Sequence, residues 1–99
     1  MSAPNVKPVA VVTGGSRRLG RHLCLALADR GYDVVILYRA SEAEARALAQ
    51  AIEDAGHRAR AVAVDVGVES QVAAVFQAIA RGEGRVDLLV NNVGNYNPQ

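Results

Sequence analysis

The stretch "VVTGGSRRLGRH", residues 11–22, joins a short β-branched run to the start of an apolar helix pattern through a glycine-rich turn. Glycine lets the backbone turn sharply and approach a ligand, while free N–H groups at the start of a helix attract an anion. The stretch therefore predicts a phosphate-binding turn between a strand and a helix. Arg18 occupies a place in this turn where similar turns often carry another glycine.

Strand and helix patterns alternate through residues 8–99, after a polar tail at residues 1–7. The predicted strands are Val9–Thr13, Val34–Tyr38, Arg60–Val64 and Val86–Asn91. Between the strands, apolar residues recur at helical spacing and predict three helices, each with one inward face. The predicted inward residues are, for the first helix, Leu19, Leu23, Ala26 and Leu27; for the second, Ala45, Leu48, Ala49 and Ile52; and for the third, Val72, Val75, Phe76 and Ile79. Ser41 and Glu44 have the spacing of a capping box at the start of the second helix.

The predicted strands are apolar at nearly every residue, a pattern that requires cover on both faces of a sheet. Helices between the strands supply this cover, because right-handed crossovers return each strand parallel to the one before it. We therefore predict an α/β fold of the Rossmann type, namely the N-terminal half of a doubly wound parallel sheet, βαβαβαβ, with strand order 3-2-1-4. A single dinucleotide-binding half-domain, residues 8–99, follows a flexible tail.

Composition narrows the function classes. The 99 residues carry a formal net charge of +1 with acids and arginines dispersed, so no surface for nucleic acid is expected. No apolar run approaches the roughly 20 residues that span a membrane, and no secretory signal is recognisable. Cys24 is the single cysteine, too few for a disulfide or a cysteine-rich zinc site. We predict a buried structural thiol and a cytoplasmic protein that contacts no membrane.

A second phosphate motif competes for the glycine turn. The segment "GSRRLGRH", residues 15–22, has the G-x-x-x-x-G spacing of a P-loop. Arg21 and His22 stand where a P-loop needs lysine and Ser/Thr to hold the terminal phosphate and magnesium. The dinucleotide interpretation is therefore favoured over a nucleoside triphosphatase, and a tight turn that binds nothing stays as the alternative.

The end of the second predicted strand bears on the choice of cofactor. A carboxylate there would hold the free ribose hydroxyls of NAD, but Tyr38 and Arg39 occupy the place and the next acid is Glu42. Asp33 precedes the strand and so belongs to the opposite edge of the sheet. An arginine without a competing carboxylate suits the additional phosphate of NADP(H). The alternative is that Arg39 is an ordinary solvated surface charge.

Three motifs in this order resemble those of the short-chain dehydrogenase/reductase family, over about residues 7–94. "TGGSRRLG", residues 13–20, is similar to the family's T-G-x-x-x-G-x-G turn, "VDV" at 64–66 to its Asp-hydrophobic pair, and "VDLLVNNVG" at 86–94 to its N-N-A-G motif. Arg18 in place of the middle glycine resembles pteridine reductases and some 3-oxoacyl-carrier-protein reductases. The resemblance implies an NADP(H)-dependent oxidoreductase that transfers hydride to a carbonyl or C=N substrate.

The resemblance also implies residue roles. Gly14 and Gly20 would shape the turn, and the phosphates would meet Ser16, Arg17, Arg18 and Leu19. Tyr38, Arg39 and Ser41 would lie at the phosphate of NADP(H), Asp65 on the adenine amine and Val66 beside the ring, and Asn92, Val93 and Gly94 along the ribose. Asn91 would mainly tie neighbouring strands together. Arg39 comes one place earlier than in most NADPH-using relatives, so Ser41 is expected to share the phosphate.

The family's catalytic residues are not in this sequence. Its chemistry needs a tyrosine with a lysine four residues later, but the only lysine is Lys7, and Tyr32, Tyr38 and Tyr96 lack such a partner. We therefore expect the N-terminal cofactor-binding part of a longer enzyme. Its partners would be the remainder of the same chain, a small-molecule carbonyl substrate and further copies in a tetramer or dimer. The alternatives are a non-catalytic dinucleotide-binding or sensor module and a purely structural α/β protein.

Overall fold

A computed structural model describes residues 7–14, 18–65 and 67–91 of the chain. Strands and helices alternate along these residues, as the sequence predicts. The elements are β1 (Val9–Thr13), α1 (Arg18–Asp29), β2 (Asp33–Tyr38), α2 (Glu42–Asp54), β3 (Ala59–Ala63), α3 (Glu69–Gly82) and β4 (Leu88–Asn91). The strands form one sheet in the order β3-β2-β1-β4, and all three pairings are parallel. The predicted fold is confirmed.

The carboxyl ends of the strands lie side by side because the last residues of neighbouring strands pair at the same level of the sheet. Thr13, the last residue of β1, pairs with Leu37 of β2 on one side and with Asn91 of β4 on the other. Tyr38 pairs with Ala63 of β3. The residues that follow β1, β2 and β3, together with the end of β4, therefore meet along one edge of the sheet.

The sheet separates two apolar layers. Alternate residues of β1 and β2, including Val12 and Ile36, pack against α1 and α2 on one face. The residues between them, including Val11 and Val35, pack with Val75 and Ile79 of α3 on the other face. Every residue of β1 and β2 is consequently buried. This two-sided burial explains the continuous apolar runs of the sequence, because a strand covered on both faces has no position for a solvated side chain.

The predicted inward faces of α2 and α3 are confirmed, whereas that of α1 is only partly correct. The buried residues of α2 are the predicted four, and in α3 Val72 and Phe76 flank the buried Val75 and Ile79. The α1 prediction is wrong in two of its four positions, since Leu19 is 69% exposed and Ala26 is exposed. Its buried residues are Gly20, Cys24, Leu27 and Ala28. These four share one face at helical spacing, and Cys24, Leu27 and Ala28 of that face belong to the layer packed against the sheet.

Several boundaries differ from the sequence prediction. The β3 strand runs one residue earlier than predicted, because Val34 of β2 pairs with Ala59. The β4 strand begins at Leu88, two residues later than predicted. Just before it, the Asp87 N–H donates to the Val9 carbonyl and the Asp87 Oδ1 accepts the Val9 N–H, each at 2.9 Å. Among the described residues, Ser41 makes no side-chain cap hydrogen bond, so the predicted capping box is not formed. The backbone carbonyl of Ser41 instead accepts a hydrogen bond from the Ala45 N–H at 2.9 Å.

The single cysteine is buried in the layer between α1 and the sheet. Burial raises the pKa of the Cys24 thiol to about 12. The thiolate is the reactive form of cysteine, and burial keeps the proton on this one. The prediction of a buried structural thiol is confirmed. No helix within the described ranges is long and apolar enough to cross a membrane.

The first prediction concerns the layer beneath α2. Leu48 is fully buried, whereas Leu25 on α1 is 37% exposed. Leu48→Ala is expected to lower the free energy of unfolding by about 2–5 kcal/mol, because it removes buried methyl groups and leaves a cavity. Leu25→Ala, the same change on an outward helix face, is expected to lower it by less than about 1 kcal/mol. Urea unfolding of the two variants beside the parent measures both, and equal losses would contradict the packing described.

The second prediction concerns acid stability at the start of β4. The Asp87 carboxylate accepts hydrogen bonds from Arg85 at 2.7 and 2.6 Å and from the Val9 N–H at 2.9 Å. Arg85, and then the Val9 N–H, hold the pKa of Asp87 below its usual range. A lowered folded-state pKa contributes stability above the ordinary aspartate value near 4, and this is lost as pH falls through the folded value.

Asp87→Asn is therefore expected to lower stability near pH 6 and to flatten the decline between about pH 5 and 3. Urea unfolding at a series of pH values measures this slope. Asp29→Asn at the exposed end of α1 serves as the control and should retain the slope of the parent. An Asp87→Asn slope as steep as that of the parent would contradict the expected role of this carboxylate.

Candidate functional site

The carboxyl edge of the sheet is the candidate site. In doubly wound sheets, ligands bind in the crevice outside the carboxyl ends of the strands, where the chain reverses its direction of winding. Here the chain moves from β1 outward to β2 and β3 and then crosses to β4 on the other side of β1. The crevice therefore lies beside the end of β1, next to the residues that begin the glycine-rich turn.

The turn after β1 requires glycine at its first position. Gly14 has a φ of +67°, in the left-handed region, and its N–H donates to the carbonyl of Leu37 at 3.0 Å. A residue with a Cβ is strained in that conformation. The helix α1 begins at Arg18, whose side chain is exposed, and Gly20 is buried in its first turn. The predicted phosphate contacts Ser16 and Arg17 lie outside the described residues.

A side-chain hydrogen bond joins β1 to β4 at the crevice. The hydroxyl of Thr13 donates to Oδ1 of Asn91 at 2.9 Å, and the Thr13 residue is only 6% exposed. Asn91 thus ties the two strands together in the way that the resemblance implies. The tie keeps the end of β4 level with the glycine turn. The predicted ribose contacts Asn92, Val93 and Gly94 follow directly in the sequence but lie outside the described residues.

The side chains after β2 have different environments. Tyr38 is 7% exposed and its ring belongs to the layer between the sheet and the helices α1 and α2, although it was predicted as a cofactor contact. Arg39 is exposed, and its Nε lies 3.9 Å from Oδ2 of Asp65. Ser41 precedes α2, whose first residue, Glu42, accepts a hydrogen bond from Arg46 at 2.8 Å.

Charge pairing at the start of α2 affects the surroundings of Arg39. The hydrogen bond that Arg46 donates to Glu42, followed by the charge of that carboxylate, raises the pKa of Arg46, to which Tyr38 also contributes. The carboxylate of Glu42 is thus engaged by a cation one helical turn away. Exposed pairs of this kind contribute only about 0.3–0.5 kcal/mol. The pairing nevertheless offsets the negative charge of the acid that follows Ser41, and so reduces its repulsion of an anion.

Asp65 forms the centre of the turn after β3. Its Oδ1 accepts the Gly67 N–H at 2.9 Å, its carbonyl accepts the Val68 N–H at 2.9 Å, and its own N–H donates to Oε1 of Gln71 at 2.9 Å. The neighbouring prediction, Val66, lies outside the described residues. Among the predicted cofactor residues that the structure describes, Asp65 and Arg39 are brought together by their side chains.

Gln71 is a residue that the sequence analysis missed. It is the third residue of α3, whose N-cap, Val68, has no polar side chain. A Gln or Glu at the third helical position commonly reaches back to a free backbone N–H before the helix, as in the capping box. Here the reach extends past the cap to Asp65. The position of Gln71 at a helix start is the signal that could have identified it.

Two hollows lie at opposite edges of the sheet. The one at the carboxyl edge has a volume of about 230 Å³ and sits between α3 and the sheet. Its lining is mostly apolar and consists of Thr13, Leu37, Val64, Val72, Val75, Phe76, Leu89 and Asn91. The other, of about 140 Å³, is lined largely by charged residues at the amino ends of β2 and β3, including Asp33. Only the first adjoins the glycine turn, so the site is assigned to the carboxyl edge.

The sheet order and the glycine turn at the crevice define a doubly wound α/β protein of the dinucleotide-binding type. A sequence model of the family described as "short chain dehydrogenase" matches residues 8–99. The chain belongs to this family. The resemblance read from the three sequence motifs is thereby confirmed.

The relatives agree with this assignment. The chain is 44% identical over 88 residues to an uncharacterized oxidoreductase of Methylorubrum extorquens, covering 89% of this chain and 36% of the relative. It is 36% identical over 85 residues to the 3-oxoacyl-[acyl-carrier-protein] reductase FabG of Staphylococcus aureus, covering 86% of this chain and 35% of the relative.

A solved structure of a metagenomic short-chain oxidoreductase in complex with NADP matches the fold. Its TM-score is 0.83 at 38% identity, and the match covers 89% of this chain and 39% of that one. The chain therefore spans between a third and two-fifths of the length of these three proteins.

The third prediction tests the tie between β1 and β4. Thr13→Val preserves the shape of the buried side chain but removes the donor to Asn91, so the free energy of unfolding is expected to fall by about 0.5–1.5 kcal/mol. Ser70→Ala, which removes an exposed hydroxyl at the start of α3, is the control and is expected to change it by less than about 0.5 kcal/mol. Thermal or urea unfolding compares them. Unchanged stability in Thr13→Val would show that the strands are held level by the backbone ladder alone.

Proposed function

We propose that this chain is the NADP(H)-binding part of a short-chain-type oxidoreductase that transfers hydride between the cofactor and a small-molecule carbonyl or C=N group. The observation that carries the proposal is the meeting of the left-handed turn at Gly14, the exposed Arg39 and Asp65 along the carboxyl edge of one parallel sheet. Each has the chemistry for one part of a dinucleotide. The NADP complex of a 38% identical protein supports the same cofactor.

The residues at this edge fit the cofactor. The left-handed Gly14 turn lets the chain approach a pyrophosphate, and the amino end of α1 adds the partial positive charge of a helix start. At the end of β2, the side chain of Arg39 is 77% exposed and can reach a phosphate, although, contrary to the expectation from sequence, a carboxylate oxygen of Asp65 lies 3.9 Å from its Nε. The acid nearest in sequence, Glu42, is paired with Arg46. This charge arrangement favours the 2′-phosphate of NADP(H) over the bare ribose of NAD(H).

The proposed contacts run from the pyrophosphate of the dinucleotide to its 2′-phosphate and its adenine. Gly14 and Gly20 shape the turn around the pyrophosphate, and Arg39 and Ser41 bind the 2′-phosphate beside Tyr38. Asp65 accepts a hydrogen bond from the adenine amine. The remaining proposed contacts are Ser16, Arg17, Arg18 and Leu19 at the phosphates, Val66 at the adenine, and Asn92, Val93 and Gly94 at the ribose.

Hydride transfer to a carbonyl needs a proton donor, and the 99 residues contain no Tyr-x-x-x-Lys motif to supply it. A nicotinamide cofactor held at this edge would supply the hydride for the carbon of a C=O or C=N bond, whose oxygen or nitrogen would take up a proton. The only lysine among the 99 residues is Lys7, whose Nζ lies 3.7 Å from Asp33 at the amino edge of the sheet, away from the proposed site. We therefore assign proton transfer to sequence outside these 99 residues, and the role of this chain to binding and orienting the cofactor.

Similarity to FabG supports a carbonyl substrate, because that relative is a 3-oxoacyl-[acyl-carrier-protein] reductase. The same similarity supports the remainder of the enzyme chain as the first partner, with further copies of the enzyme as the next. A non-catalytic dinucleotide-binding module is the competing function. It is supported by the absence of a Tyr-x-x-x-Lys motif from the 99 residues.

The fourth prediction tests the cofactor. Arg39→Ala in the full-length protein is expected to weaken NADPH binding about tenfold, because a charge-assisted hydrogen bond to phosphate is lost at an exposed position. NADH, which has no 2′-phosphate, is expected to bind within about twofold of its affinity for the parent. Fluorescence titration measures both dissociation constants. Arg30→Ala, beyond the other end of α1, is the matched control and should alter neither.

Equal weakening of NADPH and NADH in Arg39→Ala would contradict the role at the 2′-phosphate. Carbonyl reduction by the full-length protein distinguishes the two candidate functions. Turnover with NADPH supports the oxidoreductase, whereas tight NADPH binding without turnover across a panel of ketones and imines supports the module.

A further inference from the structure

We propose that Asp65 limits the preference of this protein for NADP(H) over NAD(H) by competing with the 2′-phosphate for the guanidinium of Arg39. The inference rests on the proposed function, since it assumes that Arg39 binds the 2′-phosphate. It gives Asp65 a role in specificity that is separate from its expected contact with the adenine amine. The observation behind it is the side-chain pair between the ends of β2 and β3, with Nε of Arg39 3.9 Å from Oδ2 of Asp65.

Asp65 is the fixed member of the pair. Its Oδ1 accepts the Gly67 N–H at 2.9 Å, and its backbone N–H is bound by Gln71 at 2.9 Å. A Cβ added at Gly67 would lie 3.3 Å from the same Oδ1, so glycine leaves room for this close turn. With one oxygen occupied, the carboxylate presents the other, Oδ2, to the guanidinium. The side chain of Asp65 is 35% exposed, which leaves its charge only partly screened by solvent.

Arg39 is the adaptable member. Its side chain is 77% exposed, and a long exposed side chain reorients at little energetic expense. A phosphate that binds Arg39 either draws the guanidinium away from Asp65 or takes a position close to the carboxylate. Both arrangements oppose the phosphate-bearing cofactor. A cofactor with a 2′-hydroxyl needs no guanidinium and leaves the pair intact.

The adenine contact does not obscure this effect. The adenine ring is common to NADPH and NADH, so any change in its hydrogen bond to Asp65 alters both affinities together. The ratio of the two dissociation constants isolates the 2′-phosphate. Asp65→Asn removes the charge but retains an oxygen that can accept the Gly67 N–H, which preserves the turn. Because the pair is exposed, the expected change in the ratio is about two- to fivefold.

The experiment is a cycle of variants in the full-length protein, namely the parent, Asp65→Asn, Arg39→Ala and the double variant. Dissociation constants for NADPH and NADH are measured by fluorescence titration at low salt. The ratio should shift toward NADPH by about two- to fivefold in Asp65→Asn. The shift should vanish in the Arg39→Ala background, because there is no guanidinium left to compete for. It should also shrink at about 0.5 M salt, where exposed charges are screened.

Two controls protect the interpretation. Asp65→Ser, whose hydroxyl can also accept the Gly67 N–H, provides a second uncharged variant and should shift the ratio in the same direction. Asp54→Asn removes an exposed carboxylate at the end of α2, on the opposite edge, and should leave the ratio unchanged. Unfolding curves confirm that each variant is folded before its titration is compared.

Two results would overturn the inference while leaving the proposed function standing. The first is a ratio unchanged in both Asp65 variants, although Arg39→Ala still weakens NADPH selectively. The second is an equal shift with and without Arg39, which would mean that the carboxylate repels the phosphate directly. Failure of the proposed function has a different outcome: the parent binds neither cofactor, or Arg39→Ala weakens both equally. In that case the inference fails with it.

Discussion

Burial of β1 and β2 on both faces is the constraint on which the rest of the structure depends. The side chains of these strands point alternately into a layer closed by α1 and α2 and into a layer closed by α3. Neither layer forms without helices crossing over the sheet, and parallel strands require such crossovers. The carboxyl ends of the strands therefore gather at one edge, where the chain leaves the buried layers and polar residues such as Arg39 and Asp65 are accommodated. The candidate site is a consequence of the way the core is closed.

The fold can be predicted from the sequence because the apolar residues that become buried recur at the spacing of strands and helices. The continuous apolar runs identify the inner strands, and the spacing Ala45, Leu48, Ala49, Ile52 identifies the inward face of α2. This spacing does not identify the inward face of a helix where a small residue, rather than a large apolar one, is buried. At α1 the inward position is Gly20, so the pattern anchored on the larger Leu19 selects the wrong face. The capping-box spacing at Ser41 is likewise met in sequence but not in hydrogen bonding among the described residues.

The site is less completely readable than the fold. Motif spacing placed Gly14, Arg39 and Asp65 at strand ends, but periodicity does not encode the rotamers that bring side chains together. Arg39 and Asp65 are far apart in the chain and meet only because β2 and β3 are neighbours in register. Gln71 acts on the backbone of Asp65 across a turn, an interaction that sequence spacing does not specify. Tyr38 has its ring in the core because it is the last residue of β2, on the face covered by α1 and α2, whereas Arg39 follows the strand and is exposed.

The hydrogen bond from the Gly14 N–H to the Leu37 carbonyl fixes the spacing of the strand ends along the carboxyl edge of the sheet. It joins the turn after β1 to β2 two residues before Arg39, and the Val64 N–H joins β3 to the carbonyl of Tyr38 in the same way at 2.8 Å. Neighbouring strands are about 4.8 Å apart, so the ends of β1, β2 and β3 are spaced by the ladder distance. The backbone thus fixes where each strand end lies along the edge. The side chains that follow the strands decide which charge or hydrogen-bonding group each position presents.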